Sequence, residues 1–573
     1  MTTVADTIVQ TLEASGVQRV YGIPGDSLNG FTDALRQSPI DWVHVRHEEA
    51  AAFAAAAEAE LSGELAVCAG SCGPGNLHLI NGLFDAQRSR VPVLAIAAHI
   101  PSSEIGTGYF QETHPQELFR ECSVYVEQVS SPEQMPRVLN IAIRAAVEQR
   151  GVAVIVISGD VALAKASEQA VSAIRASSSE TVPSAEELAA AAEILNSSEK
   201  ITILAGAGVR DAHQEVVELA SVLKAPIVHA LRGKEFIEYN NPYDVGMTGL
   251  LGFASGYRAM ESCETLLILG SDFPYPQFYP EKVKIIQLDL RGENLGKRTR
   301  LDLGLRGGVR ETISALLPQL NAKSRSKHLD AALSHYAKTR QRLDELATPR
   351  AKNKAIHPQY LARLVDELAS ENAVFIPDVG SPVVWAARYL SMNGQRRLIG
   401  SFSHGSMANA LSQSIGAQAS QPERQVVALA GDGGLAMLLG ELITLTQNKL
   451  PVKVVVFNNS SLNFVELEMK AAGFINYGTE LVNPNFASVA DALGIKGIRV
   501  EDSADLEKAL AEAFAHDGPA LIDVVTERQE LSMPPAITAE QVKGFALYAL
   551  RTVMSGRGDE LVDLAKSNAR QIL

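Results

Sequence analysis

The apolar positions of the chain form short runs of six to eight residues, and stretches with helical spacing separate these runs. The clearest runs are LAVCAG, VPVLAIAA, VAVIVIS, ITILAGAG, LLILGS, KIIQLDL, VVALAGDG and VKVVVFNN. Strands that are apolar on both faces and alternate with helices are typical of parallel sheets covered by helices on both sides. The pattern therefore predicts an α/β protein with doubly wound parallel sheets.

Two changes in composition divide the chain. A Ser-rich segment at 167–187 and a highly charged helical connection at 321–358 interrupt the alternation of strands and helices. After residue 530 the apolar residues again follow helical spacing. We therefore predict three parallel-sheet domains and a C-terminal helical tail, with the boundaries 1–181, 182–334, 335–530 and 531–573.

The two outer domains contain a faint internal repeat. The segment at 8–26 aligns with the segment at 360–380, and each reads as a helix that leads into a strand and a Gly-containing turn. The correspondence continues through VRHEEAAAFAAAAEAELSGELAVCAG and SFSHGSMANALSQSIGAQASQPERQVVALAG. A repeat of this kind predicts that the outer domains arose by duplication and share one topology.

Charge and composition narrow the class of function. The formal net charge of -15 argues against nucleic acid as a partner, because phosphate binding needs clustered Lys and Arg. The four cysteines form no CxxC pair, and the first residues resemble neither a signal peptide nor a membrane span. No apolar run approaches the roughly 18 residues needed to cross a bilayer. We expect a cytoplasmic enzyme whose membrane contact, if any, is peripheral.

An acidic residue in a glycine turn marks the first candidate site. Asp432 follows a buried strand in ALAGDGG, and 24 residues separate GDG (431–433) from NN (458–459). That length accommodates a helix over 435–449 and one further strand. Both motifs should therefore lie at the carboxyl ends of neighbouring strands, the edge where α/β sheets bind ligands.

The residue types at this edge predict a magnesium site. Asp432, Asn459 and the backbone carbonyl of Ser461 offer three oxygen ligands, and two diphosphate oxygens and a water would complete an octahedron. The glycines allow a phosphate to approach backbone N–H groups. Either motif alone is weak, but their spacing and their strand-helix-strand context favour a metal-diphosphate site over a simple turn.

This pairing resembles the signature of thiamine diphosphate enzymes, which hold the cofactor between a pyrimidine-binding and a diphosphate-binding domain of similar topology. The resemblance implies that Met407 supports the bent cofactor, although a Met in this pattern also fits plain core packing. Asn463 stands where relatives commonly carry glycine, and its side chain could restrict the loop over the cofactor. The other implied cofactor contacts are Val379, Gly380, Ser381, Gly405, Ser406, Gly433, Gly434, Ser460, Leu462, Phe464 and Val465.

The family also uses a glutamate in the first half of the chain. In VRHEEAAAF the residue that matches is Glu48, and Glu49 is the weaker alternative. Taken alone, either residue could be an ordinary acid favoured by the helix dipole. A carboxylate at the start of an Ala-rich helix can share a proton with N1′ of the aminopyrimidine, and burial raises a carboxyl pKa in a way that suits this exchange.

The middle domain offers a second cofactor site. GAGVRD (206–211) lacks the third glycine of GxGxxG, so the usual nicotinamide fingerprint fails. The loops at 246–256, 270–280 and 287–296 each follow or end an apolar strand, as loops that face an extended dinucleotide do. The residues themselves leave open whether this domain binds a cofactor.

A closer resemblance spans essentially the entire chain. CAGSCGPGNLHLINGLFDA, IPSSEIGTGYFQETHPQELFRECS, KAPIVHALRGKE, NPYDVGMTGLLGF and GSMANALSQSIGAQA are similar to bacterial pyruvate oxidases, also called pyruvate dehydrogenases (quinone). The resemblance implies FAD in the middle domain and catalytic roles for Glu48, Phe110, Gln111, His78, Phe464 and Glu468. The implied FAD contacts are Gly249, Leu250, Leu251, Gly252, Phe273, Pro274, Tyr275, Asp289 and Arg291.

The resemblance further implies a reaction and partners. Pyruvate would be decarboxylated to acetate through hydroxyethyl-thiamine diphosphate, and electrons would pass through FAD to a membrane quinone. The tail at 531–573 would bind phospholipid at the inner face of the cell membrane and thereby activate the enzyme, and the assembly would be a homotetramer. From its mixed charge alone, the tail fits equally a helix docked on its own protein.

Two other functions stay open at this point. One is a carboligase of the acetohydroxyacid synthase type, which has the same three domains and a flavin without net redox work. The other is a nucleotide-binding protein without turnover, which requires the Glu48, Asp432 and Asn459 pattern to be accidental. Reduction of the flavin by pyruvate would distinguish the oxidase from the carboligase. Bound thiamine diphosphate would exclude the nucleotide-binding protein without turnover.

Overall fold

A computed structural model gives the structure of the chain and describes residues 2–167, 171–177, 179–528, 530, 539–554, 561, 564 and 568. Three six-stranded sheets lie in sequence along the chain, and every strand pair that the structure describes within them is parallel. The sheets are apolar on both faces because helices cover both sides, as the continuous hydrophobic strands predict. The prediction of three parallel-sheet α/β domains is confirmed.

The first domain has the strand order β2-β1-β3-β4-β6-β5. Its strands β3, β4 and β6 are buried along their whole length. Its elements are α1 (Val4–Ala14), β1 (Arg19–Gly22), α2 (Asn29–Arg36), β2 (Asp41–His44), α3 (Glu48–Ser62), β3 (Ala66–Gly70), α4 (Pro74–Ser89), β4 (Val93–His99), α5 (Pro115–Leu118), β5 (Tyr125–Val129), α6 (Met135–Gln149), β6 (Val152–Ser158) and α7 (Gly159–Leu163).

The middle domain has the order β12-β11-β10-β7-β8-β9. The chain adds β8 and β9 on one side of β7 and adds β10, β11 and β12 on its other side, so the order of addition switches between β7 and β10. In such sheets ligands bind beyond the carboxyl ends of the strands. Its elements are α8 (Ala185–Ser197), β7 (Ile201–Ala205), α9 (His213–Leu223), β8 (Ile227–His229), α10 (Lys234–Ile237), β9 (Asp244–Met247), α11 (Ala254–Glu261), β10 (Thr265–Leu269), β11 (Lys284–Asp289), β12 (Leu303–Arg306), α12 (Val309–Leu316) and α13 (Lys327–Leu346).

The third domain has the order β14-β13-β15-β16-β18-β17, which repeats the order of the first sheet strand for strand. A helical tail follows it. The elements are α14 (Pro358–Leu368), β13 (Val374–Pro377), α15 (Ser381–Tyr389), β14 (Arg397–Leu398), α16 (Asn409–Ser420), β15 (Val426–Gly431), α17 (Asp432–Met437), α18 (Glu441–Gln447), β16 (Lys453–Asn458), α19 (Asn463–Ala471), α20 (Phe486–Ala492), β17 (Lys496–Val500), α21 (Ser503–Phe514), β18 (Ala520–Val525) and α22 (Ala539–Met554).

Two details differ from the sequence-based expectations or refine them. The predicted helix over 435–449 is wrong, because α17 already begins at Asp432 and ends at Met437, and Leu438 has non-helical dihedral angles. A second helix, α18, begins only at Glu441. The predicted domain boundary at 334 lies inside α13, a continuous helix that packs against α11 and β9 of the middle domain.

The outer domains share one hydrophobic core. Residues of α3 and α16, the corresponding helices of the two domains, belong to the same cluster of buried side chains. A Cβ atom at Gly416 would lie 1.9 Å from the carbonyl oxygen of Ala54, so the two helix backbones approach directly. This contact fixes the start of α3, where Glu48 lies, relative to the loop that precedes α16.

Candidate active site

Asp432 lies where the sequence places it, at the junction of β15 and α17. β15 pairs with β16, so Asp432 and Asn459 share one edge of the sheet. The carboxylate is buried, and its Oδ2 accepts hydrogen bonds from the N–H groups of Asn459 (3.1 Å) and Ser460 (2.6 Å) and from Asn483 Nδ2 (2.8 Å). Burial raises the pKa of Asp432. A cation at this edge would stabilise the ionised carboxylate.

The turn after β16 brings together the oxygen donors that magnesium prefers. Asn459 Oδ1 accepts the N–H of Ser461 at 3.0 Å, and Ser460 adopts a left-handed conformation with φ of 55°. Among the described residues, no hydrogen bond is donated to the Ser461 carbonyl. The carboxylate, amide and carbonyl oxygens therefore fit a Mg²⁺ ion. The described part of the chain contains no cluster of three His, Cys, Asp or Glu side chains for a softer metal.

Glycine turns border an open space beside these oxygens. A Cβ atom at Gly434 would lie 1.7 Å from Asp378 Oδ2, so only glycine fits there. Gly380 and Gly405 have φ of 107° and 81°, and a Cβ at either would meet no atom within 4 Å. We call residues 379–381 and 405–407 the thiamine loops. Together with GDG they border this open space, which we call the cleft.

Met407 reaches over the GDG turn. Its Cε lies 3.4 Å from the position that a Cβ of Gly433 would take, and its side chain is only partly buried. The next residue, Ala408, adopts φ of 66°, which is uncommon for a residue with a Cβ. This placement fits a support for a bound ring better than a plain core side chain.

In the first domain, Glu48 is the first residue of α3 and is 6% exposed. Its Oε2 lies 2.9 Å from His78 Nδ1, and its Oε1 lies 2.9 Å from the position that a Cβ of Gly75 would take. His47 stacks on His78 with ring centroids 4.2 Å apart, and burial lowers the pKa of His47. Glu49 accepts a hydrogen bond from Asn81 instead. The two glutamates therefore have distinct surroundings.

Phe110 and Gln111 lie near the same cluster. Gln111 adopts φ of 62°, and its Cβ lies 2.9 Å from the position that a Cβ of Gly73 would take. Its Oε1 accepts a hydrogen bond from Cys72 Sγ at 3.2 Å. Phe110 is 77% exposed. The turn that precedes α4 thus brings Gln111 close to Glu48 and His78, while Phe110 faces outward.

No described hydrogen bond, ion pair or ring contact joins this cluster to the predicted metal ligands of the same chain. The described bonds between the two outer domains use other residues. Asn81 donates to Ser406 Oγ, and the N–H of Arg46 donates to Glu441. We call these two groups, one around Glu48 and one around Asp432, the half-sites.

Helix α19 carries the remaining candidates of the third domain. Asn463 bridges two segments, because its Oδ1 accepts from Ser381 Oγ (3.0 Å) and its Nδ2 donates to the Arg528 carbonyl (2.5 Å). Phe464 packs on the third-domain core, and Val465 is exposed. Burial raises the pKa of Glu468. Leu462 precedes α19, and its N–H donates to the Thr479 carbonyl.

The middle domain brings its candidate residues to two places. Gly249 contacts the ring of Phe273, which lies 5.4 Å from the ring of Tyr275. Burial and then the charge of Glu468 raise the pKa of Tyr275. Leu251, in the neighbouring loop at 246–256, packs on the third-domain core, as Phe464 of α19 does. In the same loops, Leu250 is 37% exposed, Pro274 is exposed, and Gly252 contacts the backbone of Met247 and Thr248.

The second place is the end of β11. Asp289 accepts hydrogen bonds from the N–H of Arg291 (2.9 Å) and from Asn294 (3.2 Å), and burial raises the pKa of Asp289. Four strand steps separate β11 from β9, which corresponds to about 19 Å. That distance and a carboxylate at a strand end fit an extended dinucleotide such as FAD.

The third domain also contains site residues that the sequence analysis missed. Asp378 ends β13 in the way that Asp432 ends β15, and burial raises the pKa of Asp378 to about 7. The same signal, a carboxylate after a buried strand, could have identified it. Asn483 donates to Asp432 and also to Asn458 Oδ1 (3.0 Å). No sequence signal marks Asn483, because it lies in an irregular segment.

The tail contacts the site through α19. α22 packs against α19, and the Lys470 ammonium lies 5.5 Å from the ring centroid of the buried Tyr548. Arg551 donates to the Gly473 carbonyl at 2.6 Å and lies over the ring of Phe474. Of the predicted tail at 531–573, the structure describes residues 539–554, 561, 564 and 568. None of the described helices is long and apolar enough to span a bilayer.

Comparison with known protein families identifies all three sheets. The model of the thiamine pyrophosphate enzyme N-terminal TPP-binding domain matches residues 2–118, and the central-domain model matches residues 188–316. The model of the C-terminal TPP-binding domain matches residues 378–524. The first and third matches contain the two half-sites described above.

Curated relatives cover almost the whole chain. A putative thiamine pyrophosphate-containing protein (YdaP) of Bacillus subtilis is 36% identical, over 99% of both chains. A pyruvate oxidase of Lactiplantibacillus plantarum is 30% identical, over 90% of this chain and 87% of its own. The large subunit of acetolactate synthase isozyme 1 of Escherichia coli is also 30% identical, over 92% and 95%. The chain belongs to the family of thiamine pyrophosphate (thiamine diphosphate) enzymes.

Proposed function

We propose that this enzyme decarboxylates pyruvate oxidatively to acetate and CO₂ and passes the electrons through FAD to a membrane quinone. The similarity to a pyruvate oxidase along 90% of the chain supports this reaction. The observation that carries it is the position of Leu251, whose carbonyl accepts a hydrogen bond from Arg388 Nε of the third domain at 3.1 Å and whose side chain packs on the same core as Phe464 of α19. This position puts the loop expected to hold the flavin against the domain expected to hold the thiamine diphosphate.

The third domain would hold the metal and the diphosphate. Asp432, Asn459 and the Ser461 carbonyl would supply three oxygens for Mg²⁺. Bound thiamine diphosphate supplies a carbon nucleophile that adds to a 2-oxo acid and accepts the electron pair released with CO₂. Met407 supports the ring, and Asn463 holds the turn over the cofactor through Ser381 and Arg528.

The first domain would manage the proton. Glu48 is buried, and its carboxylate oxygen can hold or release a proton at N1′ of the aminopyrimidine. His78, which bonds Glu48, and Gln111 lie close enough to orient the pyruvate carboxylate. Phe110 and Phe464 supply apolar surface that excludes water from the reacting carbon.

FAD would lie across the carboxyl edge of the middle sheet. Asp289 and Arg291 lie where a ribose or adenine is expected, and residues 249–252 and 273–275 lie where the flavin ring is expected. Bound FAD accepts two electrons. Leu251 connects this loop to the third domain, since its carbonyl accepts from Arg388 Nε at 3.1 Å.

The test of this reaction is an anaerobic titration. With Mg²⁺, thiamine diphosphate and FAD bound, pyruvate should bleach the flavin absorbance, a soluble quinone should restore it, and acetate should be the product. Acetolactate formed while the flavin stays oxidised would overturn the proposal. It would support the alternative function of an acetolactate synthase, to which the similarity to the Escherichia coli subunit also points.

The active site would be completed by a second copy of the chain. No described hydrogen bond joins the two half-sites within one chain, and exposed apolar side chains lie near both, among them Phe110 and Met437. A partner subunit that brings its Glu48 cluster to the Asp432 cleft would complete one active site. We propose a dimer as the minimal active unit and a tetramer as the assembly.

Subunit mixing tests this arrangement. Glu48→Gln and Asp432→Asn are each expected to be inactive. Random pairing of the two variants should restore about a quarter of the activity, because half of the dimers are mixed and each has one intact site. No recovery in verified mixed dimers would place both half-sites in one chain. Mixing Glu48→Gln with itself is the control.

The tail would bind phospholipid at the inner face of the cell membrane and release a constraint on the site. The packing of α22 on α19 supports a tail that acts through the helix at the site. Removing residues 551–573 should abolish activation by phospholipid vesicles and leave the basal rate intact. An unchanged response to vesicles would contradict this role.

A further inference from the structure

We propose that Asp85 is a positioning residue that holds both thiamine loops of its own chain. Asp85 lies near the end of α4 in the first domain, far in sequence from either loop, and it is fully buried. The inference rests on thiamine diphosphate binding in the cleft between these loops, and it does not depend on the substrate or on the flavin.

The first connection runs to residues 405–407. Ser401 Oγ donates to Asp85 Oδ1 at 2.7 Å and accepts the N–H of Ser406 at 3.0 Å. Ser406 directly precedes Met407, the residue that reaches over the GDG turn. A second residue of α4, Asn81, donates to Ser406 Oγ at 2.9 Å. One helix of the first domain therefore fixes this loop at both the backbone and the side chain of Ser406.

The second connection runs to residues 379–381. Gln413 Nε2 donates to Asp85 Oδ2 at 2.9 Å, and Gln413 Oε1 accepts from Asn409 Nδ2 at 3.1 Å. Asn409 Oδ1 in turn accepts the N–H of Val379 at 3.3 Å. Val379 leads into Gly380 and Ser381. The two oxygens of one carboxylate thus reach the two loops through separate chains of hydrogen bonds.

This geometry requires a carboxylate. Both of its oxygens accept, one from a hydroxyl and one from an amide, and the donors are buried with them. An asparagine would turn an N–H group toward one of these donors and leave it unsatisfied. Burial raises the pKa of Asp85 to about 7, whereas the hydrogen bonds from Ser401 and Gln413 and the charge of Arg232 favour the ionised form, and the charge of Glu60 opposes it. Both loops thus depend on one buried acceptor.

The test compares Asp85→Asn with a matched control in the whole protein. Glu235 is also a buried carboxylate between domains, and it accepts from Arg397 Nε (2.7 Å) and from the N–H of Leu398 (2.9 Å), but it is not connected to either loop. Calorimetric titration with thiamine diphosphate and Mg²⁺ should give a Kd about 10- to 100-fold higher for Asp85→Asn. Glu235→Gln should stay within about threefold of the wild type.

A second variant and a second measurement separate positioning from general stability. Ser401→Ala breaks only the first connection, so it should raise the Kd less than Asp85→Asn does and add little to it in the double variant. Without cofactor, amide hydrogen exchange at 379–381 and 405–408 should be faster in Asp85→Asn than in Glu235→Gln.

Two outcomes are decisive against the inference. It is overturned if Asp85→Asn folds and binds the cofactor as Glu235→Gln does. If Asp85→Asn fails to fold, an unchanged Kd in Ser401→Ala overturns it. A wild-type protein that binds no thiamine diphosphate would sink the proposed function as well, whereas tight wild-type binding with unaltered variants would sink this inference alone.

Discussion

The first and third domains have the same strand order, yet their strands end in different chemistry. β15 runs into the buried Asp432, whereas the corresponding strand β3 runs into Ser71. β13 is followed by the buried Asp378, whereas the turn after β1 contains the exposed Asp26. The two sheets therefore share one scaffold and differ in the residues after the strands. Under the proposed function, one sheet serves a metal-bound diphosphate and the other serves a proton-sharing acid on α3.

The strongest test of this specialisation is Glu48→Gln. Loss of the proton-sharing carboxylate should slow exchange of the C2 proton of bound thiamine diphosphate by about 10²- to 10⁴-fold, while cofactor affinity changes little. Exchange into deuterium oxide, followed by NMR after rapid quenching, measures this rate. Glu49→Gln is the matched control, because Glu49 bonds Asn81 instead of His78. Equal effects of the two variants would refute the assignment to Glu48.

The next largest effect is expected from Asp432→Asn. Without its charge, Mg²⁺ loses its only carboxylate among the three proposed protein ligands, and the affinity for Mg²⁺ and thiamine diphosphate should fall by about 100-fold or more. Calorimetric titration measures the affinity. Glu507→Gln removes one exposed negative charge of α21 in the same domain and should leave the Kd unchanged. A Kd for Asp432→Asn near the wild-type value would show that the metal does not bind at this turn.

The contact between the duplicated helices can be broken at Gly416. An alanine there would place its Cβ against the carbonyl of Ala54, so Gly416→Ala should lower the free energy of unfolding by about 1–3 kcal/mol or more. Urea denaturation gives the value. Gly440→Ala, whose Cβ would meet nothing within 4 Å, should stay within about 0.5 kcal/mol of the wild type. Similar losses of stability in both variants would show that the close approach of the two helix backbones does not cause the loss.

The pH dependence of the free energy of unfolding should distinguish Asp378 from Asp26. The pKa of Asp378 in the folded protein is raised from 3.8 to about 7, so the stability it contributes is present below pH 3.8 and is lost as the pH rises through about 7. Without cofactor, the free energy of unfolding of the wild type should therefore fall between about pH 4 and pH 7 relative to that of Asp378→Asn. Asp26→Asn should follow the wild type. Parallel curves for wild type and Asp378→Asn would contradict the assignment.

Much of the fold could be predicted because it depends on local pattern. Apolar strands and helical spacing gave the class, and the weak repeat predicted the shared strand order of the outer domains, which the structure confirms. Asp432 and Asn459 could be placed together because strand-helix-strand spacing determines which strands are neighbours. The break between α17 and α18 was missed, since Leu438 and Leu439 continue the apolar pattern through it.

The residues that could not be predicted act over long separations. Asp85 bonds partners 316 and 328 residues away, and nothing in its own neighbourhood indicates them. Asn483 reaches Asp432 from an irregular segment. Asp378 differs, because it follows a buried strand as Asp432 does and could have been recognised by the same reasoning.

The close approach of Gly416 to Ala54 limits how this protein can evolve. Because the two backbones are in direct contact, no side chain at the contact can become smaller to make room for a larger residue at Gly416. Compensating pairs of substitutions, which are common in hydrophobic cores, are therefore not available at these two positions. Divergence among relatives should therefore be low at this helix crossing.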